Sequence, residues 1–187
     1  MDDKKHTSDM CSSTNLVLFF DGTSHDMVDT HPTNIRLLYQ YIDKQQNQAF
    51  YISGVGVNHH FLSFQRIIDG TTGLSVSYRI KEAYSLLALH YRPGQKIYLF
   101  GFSRGAFIAR TLAGMIRAFG IIKRECWSER NVKELFRRYI KRKGRLSKDV
   151  DTSRELNYFE PKKSRDDLYS ETDLVYIHFM GLFDTVP

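Results

Sequence analysis

The residues best suited to chemistry form a Gly-x-Ser-x-Gly pattern, Gly101 to Gly105, with Ser103 at its centre. The pattern follows an apolar run and opens a segment of helical periodicity, so it predicts a strand, a tight turn and a helix. Such a turn holds a serine hydroxyl out of the sheet as a nucleophile, while Gly101 and Gly105 relieve crowding. The helix amino terminus favours developing negative charge, and the Arg104 amide is the expected first oxyanion donor. The alternative is a glycine-flanked serine that merely caps a helix.

A second loop of interest, Asp21-Gly22-Thr23, follows the first apolar run of the chain. When a serine hydrolase is built on a parallel sheet, its second oxyanion amide comes from a loop two strand–helix units before the nucleophile. Counting back assigns this amide to Gly22 or Thr23, and the Asp21 side chain is expected to brace the loop by hydrogen bonds. A DxDGT phosphatase motif is excluded because Phe19 stands where its nucleophilic aspartate would be.

The expected catalytic acid is Asp184, which follows the last apolar run of the sequence. The triad order in this arrangement is Ser, then Asp or Glu, then His. An ordinary aspartate at a strand end is the alternative. All seven histidines precede Asp184: His6, His25, His31, His59, His60, His90 and His178. His25 lies near the oxyanion loop and His178 lies within a predicted strand, so neither stands where the chain order requires a base.

The elements that must position these residues alternate between strand and helix patterns. Apolar runs predict strands at 16–20, 49–53, 96–100 and 174–179. Apolar residues spaced three and four apart predict helices at about 34–42, 77–91, 104–119 and 130–143, with a long loop at 58–75. This alternation predicts an α/β fold with a mainly parallel sheet and helices on both faces, incomplete at its carboxyl-terminal side. Its functional residues would meet at the carboxyl edge of the sheet.

The chain has 187 residues and a net charge of +6, enough for one domain. We expect a disordered polar tail at 1–14 and a hydrolase-like domain at 15–187 with a basic helical insert at about 123–165. The tail lacks the apolar core of a signal peptide, and no apolar stretch reaches the ~18 residues of a membrane span. The sequence therefore predicts a protein that is cytoplasmic or exported without a cleavable signal. Its two cysteines are far apart, and we predict no metal or cofactor.

Basic residues are concentrated between Lys123 and Lys163, a segment that contains 14 Lys and Arg but only 7 Asp and Glu. Such a segment could contact an anionic membrane surface, although a solvated helix face is the simpler interpretation. Four residues at helical spacing predict its buried side: Leu135, Phe136, Tyr139 and Ile140. No nucleic-acid motif accompanies the charge, so no nucleic acid is expected as a partner.

Four segments, LVLFFDGTS, GVGVN, KIYLFGFSRGAFIARTLAGMI and HFMGLFDTVP, together resemble the catalytic domain of the type VI secretion phospholipase effector family 1. The resemblance runs from Leu16 to Pro187. It implies an α/β-hydrolase-like domain that cleaves lipid ester bonds, those of phospholipids in particular, through a Ser-Asp-His triad, with Ser103 as nucleophile and Asp184 as acid. The family's histidine lies beyond the acid.

The resemblance therefore predicts a chain that is truncated before its catalytic histidine. A downstream segment or a partner chain would complete the site. The alternative is an inactive remnant or pseudoenzyme that binds anionic lipid or a partner chain.

Overall fold

The computed structural model describes residues 15–22, 31–54, 71–146 and 175–184. Strands and helices alternate through these ranges, as predicted. In chain order they are β1 (Asn15–Phe20), α1 (Asn34–Tyr41), β2 (Asn47–Ile52), α2 (Thr71–His90), β3 (Ile97–Phe102), α3 (Arg104–Phe119), a short 3₁₀ helix (Arg124–Cys126), α4 (Glu129–Leu146) and β4 (Ile177–Phe183). None of the helices in these ranges combines the length and the apolar character needed to cross a membrane.

The four strands form one sheet in the order β2-β1-β3-β4, and every pairing is parallel. This confirms the predicted α/β class and its parallel sheet. The strands end together: Phe20 pairs with Gly101, and Phe102 pairs with Phe183. Because parallel strands present their carboxyl ends at one edge, the loops after β1, β3 and β4 share that edge.

Both faces of the sheet are covered, which confirms the predicted layers. On one face, Val17 and Phe19 of β1 pack with Ile35 of α1. On the other, Leu16, Leu18 and Phe20 join a larger core with α2, α3 and α4. A strand covered on both faces reads as a continuous apolar run, which explains the sequence of β1. Burying a side chain of this size contributes about 1.5–3 kcal/mol, so β1 anchors the domain.

Several predicted boundaries are wrong, and glycine explains most of the errors. Helix α2 begins at Thr71 rather than 77, because an internal glycine such as Gly73 costs only about 1 kcal/mol and is tolerated. Strand β4 covers Ile177–Phe183 rather than 174–179. Gly181 lies inside it because a Cβ at this position would come within 2.7 Å of the Phe100 ring. Helix α1 ends at Tyr41 and the next residue is extended.

The buried side of α4 also differs from the prediction. Val132, Leu135 and Tyr139 face the core, while Ile140 is 46% exposed and Phe136 is only partly buried. Gly114 of α3 makes room for this packing, because a Cβ there would collide with the Tyr139 hydroxyl. The stripe at 132, 135 and 139 keeps the spacing of one helix face, whereas 140 lies about 100° further round.

Candidate functional site

Ser103 has an unusual backbone conformation, with φ 52° and ψ −121°, between the end of β3 and the start of α3. Among non-glycine residues in the described ranges, Ser103 and Asp184 have positive φ, and Asp184 has φ 44°. Such conformations cost about 1–3 kcal/mol each and persist only where the surroundings enforce them. They concentrate at functional sites, so these two positions are the natural place to look for one.

The two strained residues lie next to each other. The Ser103 amide donates a hydrogen bond of 2.9 Å to the Phe183 carbonyl, which immediately precedes Asp184. Phe102 and Phe183 are register partners, and paired strands run about 4.8 Å apart. Ser103 and Asp184 therefore continue two adjacent strands at the carboxyl edge of the sheet. Ser103 is half-buried and Asp184 is exposed.

The Ser103 side chain does not cap the helix that it precedes. Its carbonyl accepts from the Ala106 amide at 3.0 Å and from the Phe107 amide at 3.3 Å, but its hydroxyl makes no capping hydrogen bond. Preferred N-caps have extended backbones and side chains that accept from the first turn. Ser103 therefore occupies the N-cap position of α3 without using its hydroxyl as the cap. Arg104, predicted as the first oxyanion donor through its amide, begins α3 directly after it.

The two predicted elbow glycines occupy positions that admit no side chain. A Cβ on Gly101 would lie 2.6 Å from the Gly105 carbonyl oxygen and 2.7 Å from the Ala106 Cα. A Cβ on Gly105 would collide with the Phe20 carbonyl oxygen and would lie 2.7 Å from that of Asp21. Gly101 thus lets the chain fold back on itself, and Gly105 lets α3 rest on the end of β1.

Replacing Gly105 by alanine should unfold much of this edge, because the added methyl meets backbone atoms that cannot rotate away. We expect a loss of about 3 kcal/mol or more in the free energy of unfolding, measured by urea titration. Gly94→Ala is the matched control: it also adds a methyl, but nothing lies within 4 Å and only its φ of 86° is unfavourable. The control should lose about 1–2 kcal/mol. Equal losses in the two variants would contradict the close packing of α3 on β1.

Asp21 is 2% exposed, and its carboxylate accepts three hydrogen bonds from residues that the structure describes. The donors are the Gly22 amide at 2.7 Å, the Thr33 hydroxyl at 2.7 Å and the Tyr51 hydroxyl at 2.5 Å. A buried carboxylate needs such partners to offset its desolvation. These bonds join the end of β1 to the start of α1 and to β2. Of the two predicted second oxyanion donors, Gly22 donates to Asp21, and Thr23 lies outside the described residues.

His178 and His90 lie far from Ser103. His178 belongs to β4, and Phe179 beside it pairs with Tyr98 near the start of β3. It stands five residues before Phe183, which is about 16 Å along a strand. Its ring contacts the Tyr98 ring, with 5.1 Å between centroids. His90 ends α2 and contacts Gln48 at the start of β2, at the opposite edge of the sheet.

His31 lies on the same edge as Ser103, which sequence reasoning missed. It is exposed and stands two residues before Thr33, the cap of α1, whose hydroxyl bonds to Asp21. Two residues span at most about 7 Å, so His31 stays close to the loop after β1. The position of His31 follows from the hydrogen bond between Thr33 and Asp21, and the sequence alone does not indicate this bond. The other histidines, His25 among them, lie outside the described ranges.

The exposed side of α4 is strongly basic. Arg130, Lys133, Arg137 and Lys141 are exposed at helical spacing. Glu134 pairs with Arg137 at 2.6 Å and with Arg138 at 2.9 Å. Hydrogen bonds from Arg137 and then Arg138 lower the pKa of Glu134 to about 2. Glu134 therefore stays ionised down to strongly acidic pH and neutralises part of the positive charge of α4.

Within the described ranges, no group of three or more His, Cys, Asp or Glu side chains could hold a metal ion. Among the described residues, the edge that carries Ser103 holds a hydroxyl, carboxylates and backbone amides. Those groups suit acyl transfer once an imidazole is added.

Comparison with known proteins gives one family and one relative. Residues 14–187 match the family model described as "T6SS, Phospholipase effector Tle1-like, catalytic domain". The chain is also 34% identical, over 200 aligned positions, to the uncharacterized protein YEL023C of Saccharomyces cerevisiae. That alignment covers 96% of this chain and 28% of the yeast protein, so the chain spans less than a third of its relative's length. No solved structure matches the chain.

Proposed function

The chain belongs to the family of T6SS phospholipase effector Tle1-like catalytic domains, and from this premise we propose that it cleaves lipid ester bonds with Ser103 as its nucleophile. The family match extends over 14–187 and confirms the resemblance seen in the sequence. One observation supports the residue assignment above all others. Ser103 and Asp184, the two non-glycine residues of positive φ in the described ranges, follow directly after the paired residues Phe102 and Phe183.

The proposed reaction is acyl transfer to Ser103. Its hydroxyl oxygen attacks the ester carbonyl carbon while an imidazole takes the hydroxyl proton. The carbonyl oxygen becomes an oxyanion, stabilised by the Arg104 amide at the start of α3. The alcohol then leaves with the proton from the imidazole, and a water molecule hydrolyses the acyl-enzyme by the same steps. Asp184 orients the imidazole and stabilises its charge.

The second oxyanion donor is assigned to the Thr23 amide in preference to Gly22. The Gly22 amide already donates to the Asp21 carboxylate at 2.7 Å, and an N–H that serves a carboxylate is poorly available to a transient oxyanion. Hydrogen bonds from Gly22, Thr33 and Tyr51 fix the Asp21 carboxylate at the end of β1, so its proposed role is to position the backbone that follows. This proposal leaves Asp21 with no direct contact to the substrate.

The imidazole base is proposed to come from a segment beyond Asp184, as the family resemblance implies. His90 and His178 support this assignment because neither lies on the edge of Ser103. His31 is the one other candidate base among the described residues, because it lies near the loop after β1.

A direct test measures fatty acid released from phospholipid vesicles by the full polypeptide that contains this domain. Hydrolysis that disappears in Ser103→Ala supports the proposal. Vesicle binding without any release of fatty acid, in the wild type and the variant alike, would instead identify a binding module.

The basic face of α4 is proposed to hold the domain on anionic lipid. Cations near an anionic surface contribute about 1 kcal/mol each, so the four exposed cations of this face are enough to matter. The surface would bring Ser103 to its substrate rather than take part in the reaction.

Glu134→Gln should strengthen binding to vesicles that contain phosphatidylserine by several-fold, because it frees Arg137 and Arg138 and removes a negative charge. The matched control is Glu82→Gln on α2, which breaks a similar pair with Arg79 at 2.9 Å away from this face. Vesicle sedimentation in low salt and in 0.5 M salt measures the difference, which screening should remove at a Debye length of about 4 Å. Equal binding to neutral vesicles would contradict the role of α4.

A further inference from the structure

A small cavity lies at the amino edge of the sheet, opposite to Ser103. It has a volume of about 120 Å³ and is lined by Gln48, Leu89, His90, Tyr91, Arg92 and Arg124. Gln48 lies at the start of β2, and β3 runs six residues from this edge to the elbow. Six residues of strand span about 20 Å, so a molecule in this cavity would be distant from the reacting ester. We call this cavity, with its six lining residues, the cationic cavity.

The cationic cavity has a positive charge that the described residues do not neutralise. Within the described ranges, neither Arg92 nor Arg124 forms an ion pair with a carboxylate. The acid nearest in sequence is Glu125, which is exposed. The carboxyl end of α2 at His90 opposes the charge with only about half a unit of negative dipole charge. Two guanidinium groups therefore outweigh the helix end, and the cavity attracts anions.

His90 also lines this cavity. The Gln48 side-chain nitrogen lies 3.0 Å from His90 Nδ1. An amide nitrogen donates, so Nδ1 accepts and the neutral ring carries its proton on Nε2. Burial, and then the charge of Arg124, hold the pKa of His90 below its usual value of 6.5. The ring packs against Phe50, with 4.8 Å between centroids, which fixes its orientation.

We propose that the cationic cavity binds a phosphate group, either that of a free phosphate ester or that of a lipid headgroup. Its volume of about 120 Å³ is several times the 10–15 Å³ needed by one water, which leaves room for a small anion. Its donors come from the start of β2, the end of α2 and the 3₁₀ helix that contains Arg124. Donors from several elements suit a tetrahedral oxyanion better than a planar carboxylate, and guanidinium forks match phosphate oxygens.

The proposed phosphate site lies between the end of α2 and the 3₁₀ helix, which already contact each other. The anion would link the end of α2 to the 3₁₀ helix that leads into the basic α4. This role does not depend on catalysis, and it should persist in a Ser103→Ala variant. The phosphate site can therefore be tested independently of the proposed hydrolase activity.

The test titrates inorganic phosphate into the full chain by calorimetry, in the wild type and in an Arg92→Gln/Arg124→Gln double variant. We expect saturable binding that weakens at least tenfold in the double variant. The control is Arg117→Gln, an exposed arginine of α3 that does not line the cavity, and its affinity should be unchanged. An equal loss in the control, or no saturable binding of phosphate by the wild type, would overturn the proposal.

Two further measurements test where phosphate binds and which kind of molecule supplies it. In NMR spectra of the wild type, the ring resonance of His90 is identified by its absence in His90→Gln. Adding phosphate at constant pH should shift this resonance more than the ring resonances of His31 and His178. Equal shifts of all three would indicate general ionic effects and overturn the site. Phosphatidic acid vesicles distinguish the ligand source: binding that requires Arg92 and Arg124 supports a lipid headgroup. If the double variant binds vesicles as well as the wild type does but binds phosphate more weakly, the result supports a free phosphate ester.

Discussion

A Ser103→Ala variant of the active polypeptide is expected to lose about three or more decades of ester hydrolysis, together with all labelling by a fluorophosphonate probe. The probe reacts with a serine whose hydroxyl is activated by a base and whose oxyanion is stabilised by amides. Two features of Ser103 motivate this expectation. Its φ of 52° places it on a strained turn, and its hydroxyl is not used as a helix cap.

Ser128→Ala is the matched control for this experiment. The Ser128 hydroxyl accepts from the Asn131 amide at 3.1 Å and caps the start of α4. Its loss should lower stability by about 1 kcal/mol and leave labelling and hydrolysis intact. Labelling that persists in Ser103→Ala would show that another serine is the nucleophile. Labelling that also disappears in Ser128→Ala would show that the assay reports on folding instead.

Much of this edge of the sheet could be predicted because its signals are local. The apolar runs of β1 and β3 and the glycines around Ser103 specify strand, turn and helix within a few residues of sequence. Chain order then placed Asp184 after the next strand. The structure has these elements, and the fold class and its parallel sheet are confirmed. The roles of Ser103 and Asp184 stay predictions.

The contacts that hold the site together could not be predicted, because they join residues far apart in the sequence. Asp21 bonds to Thr33 and to Tyr51, which stand 12 and 30 residues away. Gly105 approaches the backbone of β1, more than eighty residues earlier in the chain. Spacing within one segment has no information on such contacts. The same limit applies to His31, because its position at this edge follows from the Thr33–Asp21 bond and not from its place in the sequence.

The second large effect is expected from the catalytic base, which we propose to lie in a segment beyond Asp184. Residues 1–187 alone should hydrolyse a short-chain ester at close to the background rate, whereas the same domain with the polypeptide that follows it should be faster by orders of magnitude. The reason is that the oxyanion amides and the nucleophile alone retain only a small part of triad catalysis. Imidazole has a basicity suited to moving protons near neutral pH, and a carboxylate is a far weaker base.

Three variants separate the possible sources of that base. In a longer polypeptide, each histidine downstream of Asp184 is replaced by alanine in turn. A replacement that abolishes hydrolysis and also lowers fluorophosphonate labelling of Ser103 would support the proposal. In residues 1–187, His178→Ala should have no effect, because His178 lies about 16 Å along β4 from the carboxyl end. His31→Ala is the decisive comparison. Robust Ser103-dependent turnover by residues 1–187 that His31→Ala abolishes would contradict a downstream base. The proton would then pass from Ser103 to a histidine held beside the loop after β1 by the Thr33–Asp21 hydrogen bond.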